Sequence, residues 1–399
     1  MLKIEPLSPT TLPALARFSA QTWSRPDSPA YLDWRYGDAH RATTWVAYHN
    51  PEEILATVSG FHAHYQWSHG QTSGQADVLE TCDWYCRPDL RGSGLGIRVM
   101  TTLIKQGKRP VVALGGSADT LSLLPRMGFK QLGTGCKFIL PLSAKLARHV
   151  SSNRLAVTGL SLGLSVALPA YRLVQAALNG FAARSRYVIG DDLGEWVSGS
   201  NELSINGTTL PLSPAPSPSR GRGESQPLPT TIPLPPSGGG PGRGGSGPEH
   251  AQFSAKVALS SRCNNDFRWL QQGADWVGRV VSASPLDAGN DGPTVILRLY
   301  RHSKGSLIAK VLEVFAKPGS TFHLAAVLQS VGAALRQQGV AALMVNTTDP
   351  KRASQLQGAG FIPTSTSPLL VWADNIDLTG IHLMGMRGDD GYLPLHIPS

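Results

Sequence analysis

One stretch constrains the first half of this chain more than any other: Asp83-Trp84-Tyr85-Cys86-Arg87-Pro88-Asp89-Leu90-Arg91-Gly92-Ser93-Gly94-Leu95-Gly96. Trp84, Tyr85 and Cys86 favour a strand. Pro88 cannot donate to a sheet ladder, so it belongs at the strand's exit. A glycine-rich turn from Arg91 to Gly96 follows. Beyond it the apolar positions Ile97, Val99, Met100, Leu103 and Ile104 predict a helix with one buried face. Glycines let backbone N–H groups approach a ligand closely, and a helix N-terminus adds partial positive charge. Strand, glycine turn and helix together make a cradle for a pyrophosphate.

Two nucleotide-binding patterns are excluded. No Gly-Lys-Ser/Thr follows the turn, and Gly92-Ser93-Gly94-Leu95-Gly96 does not supply G-x-G-x-x-G. The stretch fits Arg-x-x-Gly-x-Gly as Arg91, Gly94 and Gly96. With Cys86-Arg87-Pro88-Asp89-Leu90 before it and Met127-Gly128-Phe129 downstream, it resembles the acyl-CoA-binding signature of the GNAT (GCN5-related N-acetyltransferase) superfamily. The resemblance covers about Met1 to Leu142.

The periodicities predict an order consistent with that likeness. A strand spans Leu2–Glu5, a helix runs from Thr10 or Thr11 to about Trp23, and a short helix covers Ala30–Tyr36. Strands are predicted at 43–48, 54–65 and 76–86, the last leading into the turn. After the helix, 110–114 reads as a strand ending in Gly115-Gly116-Ser117, 118–127 as a helix, and Phe129 to Pro141 as a hairpin.

The rest of the chain divides by composition. Leu155 to Tyr171 carries no charge; it reads as a buried bridging helix, with peripheral membrane contact as the alternative. Ser198 to Glu249, rich in Pro, Gly and Ser, reads as a disordered spacer, dispensable for folding and separating two stable fragments. From about Phe253 the chain echoes its first part. Asp266-Phe267-Arg268-Trp269-Leu270 resembles the segment around Trp34, Lys317-Pro318 matches Arg87-Pro88, and Gly360-Phe361 matches Gly128-Phe129. Lys317-Pro318-Gly319-Ser320-Thr321-Phe322 replaces the glycine turn, so this second repeat has lost the cradle. The expected fold is α/β with a mixed sheet: two GNAT-like folds joined by a helical bridge and a disordered linker. The segments are 1–145, 146–197, 198–250 and 251–399. Asp389-Asp390-Gly391 reads as a polar surface turn.

Composition adds little. The net charge is +9, but the basic residues are scattered rather than interleaved with aromatics, so no nucleic-acid footprint is expected. Met1 to Thr22 has no long apolar run and does not read as a signal peptide. Cys82, Cys86, Cys136 and Cys263 are too few for a disulfide framework and lack a matching Cys/His pair for zinc, which points to buried thiols and a reducing, cytoplasmic compartment.

The GNAT resemblance implies the site. Acyl-CoA, most simply acetyl-CoA, would lie between the strand at 76–86 and the strand at 110–114, with no metal required. Trp84, Tyr85 and Cys86 would pair with the pantetheine arm. Arg91, Gly92, Ser93, Gly94, Leu95 and Gly96 would hold the pyrophosphate, with Gly116 and Ser117 across the slot. Glu80 is the leading general-base candidate. Asp83 ranks second, and with Asp77 it is placed on the strand's other face. Tyr31, Trp34, Arg35 and Tyr36 are candidates for the acceptor pocket, Arg35 as a holder of carboxylate or phosphate; packing of a short helix is the competing reading. The thiolate-protonating tyrosine usual in the family's last helix is missing. The implied activity is N-acetyl transfer to a small amine such as an amino sugar or amino acid. Two alternatives stay open: a tandem transferase of the peptidoglycan-bridge kind and a non-catalytic CoA-binding scaffold. The second repeat either completes the acceptor site or dimerises.

Overall fold

The computed structural model describes residues 1–23, 28–69, 72–146, 187–191, 256–260, 264–286, 292–302, 305–315, 322–373 and 381–383. The uncharged stretch 155–171, the spacer 198–250, the second-repeat turn 317–321 and Asp389-Asp390-Gly391 all lie outside these residues. The first half runs β1 (Lys3–Pro6), α1 (Leu12–Trp23), α2 (Pro29–Tyr36), β2 (Ala42–Tyr48), β3 (Ile54–His69), β4 (Thr72–Cys86), α3 (Leu95–Gly107), β5 (Val111–Leu114), α4 (Ala118–Arg126) and β6 (Lys130–Pro141). Then come β7 (Tyr187–Gly190), β8 (Lys256–Ser260), α5 (Asn264–Gln272), α6 (Ala274–Val277), β9 (Arg279–Pro285), β10 (Thr294–Arg301), β11 (Leu307–Phe315), α7 (Leu324–Gln337), β12 (Ala342–Thr347), α8 (Pro350–Gly358), β13 (Ile362–Trp372) and β14 (Ile381–Leu383).

The strands form one mixed sheet with the order β1-β2-β3-β4-β5-β13-β6-β12-β11-β10-β9-β7. The order is palindromic: β2 answers β9, β3 answers β10, β4 answers β11 and β5 answers β12. Along this path each half has one parallel pair, β4·β5 or β11·β12, among antiparallel neighbours; β8 and β14 pair in parallel off it. The repeat expected from the sequence is therefore a structural one, with a pseudo-twofold axis between β13 and β6.

At that axis the halves exchange strands. The expected hairpin at 129–141 is instead the single strand β6. It pairs with β12 through Ala342↔Pro141 to Thr347↔Cys136, while β13 pairs with β5 through Leu369↔Leu114 to Trp372↔Val111. The hydrogen-bonding partner that a hairpin would supply locally comes from the other repeat. Phe138, Leu140 and Leu142 accordingly sit in the second half's core with α7, and Leu370 of β13 sits in the first half's core with α3.

Segment limits and sheet membership also differ. Tyr187–Gly190 falls in the stretch expected as a helical bridge, yet it is a strand on the edge of β9, the place β1 takes beside β2. β8 leaves its own half and pairs with β3.

A second layer joins the halves. Ala14, Leu15 and Phe18 of α1 and Tyr31 and Leu32 of α2 share a core with Phe267, Trp269 and Leu270 of α5. Trp34 and Trp269 face each other there as equivalents under the pseudo-axis. On the opposite face α3 buries Leu95, Val99, Met100, Leu103 and Ile104, while Ile97 is on its exposed side.

Candidate active site

The cradle forms because two glycines take a backbone shape other residues avoid. Gly92 has φ +85° and Gly94 φ +80°, and Gly94 is the N-cap of α3. A Cβ built on either meets no protein atom within 4 Å, so the turn faces open space. Ser93 Oγ donates to the Leu90 carbonyl at 2.7 Å and the Trp84 indole N–H donates to the Gly96 carbonyl at 2.8 Å, tying the turn to β4. Arg91 donates to the Tyr85 hydroxyl at 2.9 Å and lies over its ring. Arg87 bridges Glu53 and Asp89 just before the turn. Ser93 N–H donates to the Leu90 carbonyl at 3.2 Å and Leu95 N–H to Ser93 Oγ at 3.3 Å; the remaining amides at the start of α3 have no intrahelical acceptor and are placed for an anion.

Beside the cradle β4 and β5 splay. Their ladder holds Leu79↔Val111 and Glu80↔Val112 and stops there, so β4 runs on to Cys86 with no pairing to β5. Across the gap Ser117 caps α4 through the Thr120 amide at 3.2 Å, with Gly115 and Gly116 preceding it. The Gly115 N–H donates to the Pro368 carbonyl of β13 at 2.9 Å, so the second half supplies one wall of the first half's slot.

Glu80 stands where the splay opens. It is buried, and the Tyr65 hydroxyl donates to its Oε1 at 2.7 Å. Asp83 corrects the sequence reading. Simple alternation puts it with Asp77, away from Glu80. A β-bulge intervenes: Thr57 faces Tyr85 and Ser59 faces Cys82, so Asp83 and Trp84 together oppose Val58. Asp83 has φ +47°, and its carboxylate joins Arg35 and Tyr36 around Phe61, the cross-strand partner of Glu80. Asp77 bonds His64 at 2.8 Å and is half exposed.

The four acceptor-pocket candidates lie together on α2. Arg35 is buried and ion-paired to Asp83, so its charge is answered within the protein and not held out for an acceptor anion. Burial alone would lower the Arg35 pKa; Asp83, with Tyr31 and Tyr36, overrides that and leaves it well above the usual value. Burial likewise raises the Tyr36 phenol and the Cys82 thiol. Tyr31 is buried against Trp34 and Trp276, and Trp34 stacks on Trp269. Tyr65 was missed: the β3·β4 register pairs it with Ala76, and its long side chain reaches along the face to Glu80.

The second half carries a different apex. Its parallel ladder stops at Lys310↔Met344, the counterpart of Glu80↔Val112, and Lys310 is paired across β10 with Arg298 where Glu80 is paired with Phe61. Both cations are buried.

The family model for "Acetyltransferase (GNAT) family" matches residues 10–129, a span that contains the cradle, the splay and Glu80. Residues 10–129 are a GNAT domain. The coarse chemistry of this domain is acyl transfer. No curated protein matches the chain. Among solved structures, a GCN5-related N-acetyltransferase from Anabaena variabilis has a TM-score of 0.47 at 12% identity, covering 93% of this chain and 72% of that one. One from Kribbella flavida has a TM-score of 0.47 at 13% identity, with 93% and 71% covered. A tandem GNAT protein from the clavulanic acid biosynthesis pathway has a TM-score of 0.45 at 11% identity, with 93% and 98% covered. The palindromic sheet shows that the second half repeats the strand arrangement of that domain. Among the described residues no helix is long and apolar enough to cross a membrane.

Proposed function

We propose that the chain is an acyl-CoA-dependent N-acyltransferase that moves an acetyl group from acetyl-CoA to a primary amine of a small molecule. The observation that carries this is the juxtaposition of the Gly92–Gly94 turn, open to space, with the open edge of β4 at Trp84–Cys86.

The amides from Gly92 to the first turn of α3 hold the pyrophosphate, and the free edge of β4 receives the pantetheine arm as an added strand. The thioester supplies the activated acyl group. Glu80, oriented by the Tyr65 hydroxyl, takes the proton from the attacking amine directly or through water. Because α4 has no tyrosine, solvent gives a proton to the departing CoA thiolate. The second repeat has Lys310 and Arg298 in place of the carboxylate apex and no glycine turn in its sequence, so one repeat is catalytic. The acceptor is a small amine such as an amino sugar or amino acid.

The test is acetyl-CoA presented with a panel of amino sugars, amino acids and polyamines, with free thiol release read continuously. Release that depends on one class of amine, and is lost in Gly94→Val, supports the reading. Saturable acetyl-CoA binding with no release across the panel would favour a binding scaffold.

A further inference from the structure

We propose that Arg35 and Tyr36 are positioning residues for acyl transfer: by holding Asp83 they set the β4 bulge against which an acyl carbonyl is gripped. This rests on the acyl-CoA reading above.

Asp83 is a buried, mid-strand residue with φ +47°. A non-glycine side chain adopts that conformation at a cost and keeps it where its surroundings over-determine it. The only other such residue among those described, Lys108, caps the C-terminus of α3, where this shape is common.

The surroundings of Asp83 are unusually committed. Arg35 and the Tyr36 hydroxyl, the latter at 2.5 Å, both donate to its Oδ2. The guanidinium is itself boxed by aromatic rings, 5.9 Å from the Tyr31 centroid, 5.0 Å from Tyr36 and 5.6 Å from Phe61. A buried ion pair is a poor way to stabilise a core, since apolar residues of similar volume serve as well or better. It is a good way to fix one geometry.

The second repeat provides a control within the same molecule. The pseudo-axis that pairs Trp34 with Trp269 places Leu270 where Arg35 stands. The irregularity in β11 falls at Leu312, between Ile296↔Glu313 and Leu297↔Val311, and no non-glycine residue there has positive φ. The counterpart of Asp83, three positions past Lys310, is the buried Glu313, and among the described residues the positive-φ carboxylate belongs to the first repeat alone.

The clamped bulge also lies in the right place. Asp83 is between Glu80, where the β4·β5 ladder ends, and Trp84–Cys86, the open edge. Backbone N–H groups turned by a bulge can point at a developing oxyanion, and their placement matters to within a fraction of an ångström.

The experiment compares CoA with acetyl-CoA by titration calorimetry on the full-length protein, as wild type, Arg35→Lys and Tyr36→Phe. The cradle binds both ligands; only the acetyl carbonyl reports the bulge. Wild type should favour acetyl-CoA by about fivefold, the worth of one hydrogen bond. Arg35→Lys should bind CoA within about twofold of wild type and lose the acetyl preference, since a lysine cannot reproduce the planar fork. Tyr36→Phe removes one hydroxyl and should give a reduced preference; it carries the test if Arg35→Lys does not fold. A wild-type preference kept by both folded variants overturns the proposal, and so does a wild type with no preference. A wild type that binds neither ligand overturns the acyl-CoA reading itself.

Discussion

Trp34 and Trp269 lie face to face, ring centroids 4.3 Å apart and planes 5° from parallel, and each indole N–H donates to the other's carbonyl, at 3.0 and 2.9 Å. Each repeat thus closes the other's short helix. Replacing Trp269 by Ala removes the stack, leaves the Trp34 carbonyl without its indole donor and opens a cavity in the shared core. The expected loss is about 3–5 kcal/mol. Urea denaturation should show one transition shifted as a whole. Two transitions, with the second half alone affected, would mean that the halves fold independently.

The strand exchange makes a related prediction. A protease site inserted between residues 198 and 250 and then cut should give fragments that co-elute on gel filtration and separate only in denaturant. β5·β13 and β6·β12 hold them together. Elution of two separate folded fragments would contradict the shared sheet.

What the sequence shows divides along the range of the interactions. The repeat was visible, because Trp34/Trp269 and Pro88/Pro318 mark equivalent positions locally. Strand spans such as Leu307–Phe315 and helix spans such as Pro350–Gly358 follow from periodicity and proline. The exchange of β6 and β13 was not visible, since a strand's pattern says which face is apolar but not whose edge it joins. The bulge was hidden for the same reason: an extra residue in β4 is defined only by its register against β3. Arg35, read as a ligand holder, is committed to a carboxylate 48 positions away.

Glu80→Gln keeps the hydrogen-bonding shape and removes the base. Acetyl-CoA affinity should change little, while turnover with any amine that releases thiol should fall by about a hundredfold or more. Turnover within twofold of wild type would assign the proton to another group.

His62 gives a pH prediction for stability. Its Nε2 meets Thr43 Oγ1 at 2.9 Å and its Nδ1 faces Arg109 at 2.7 Å. Burial and the Arg109 charge push its pKa down to about 4. The unfolded imidazole binds its proton near pH 6.5, so between about pH 6.5 and 4 the unfolded state holds the extra proton. The contribution is fully present above pH 6.5 and is lost as pH falls through that window. His62→Gln should therefore lose less stability than wild type between pH 7.5 and 4.5, compared by urea denaturation. Equal losses would show that His62 does not titrate as its contacts require.

We propose that the chain has one working acyl-CoA cradle, in the first repeat, built on Gly94. Calorimetric titration of the full chain with acetyl-CoA tests it most directly. Gly94→Val places a branched side chain at φ +80° in the open space before the α3 amides. Wild type should show one site per chain and Gly94→Val none. Two sites per chain, or wild-type affinity in Gly94→Val, would contradict it.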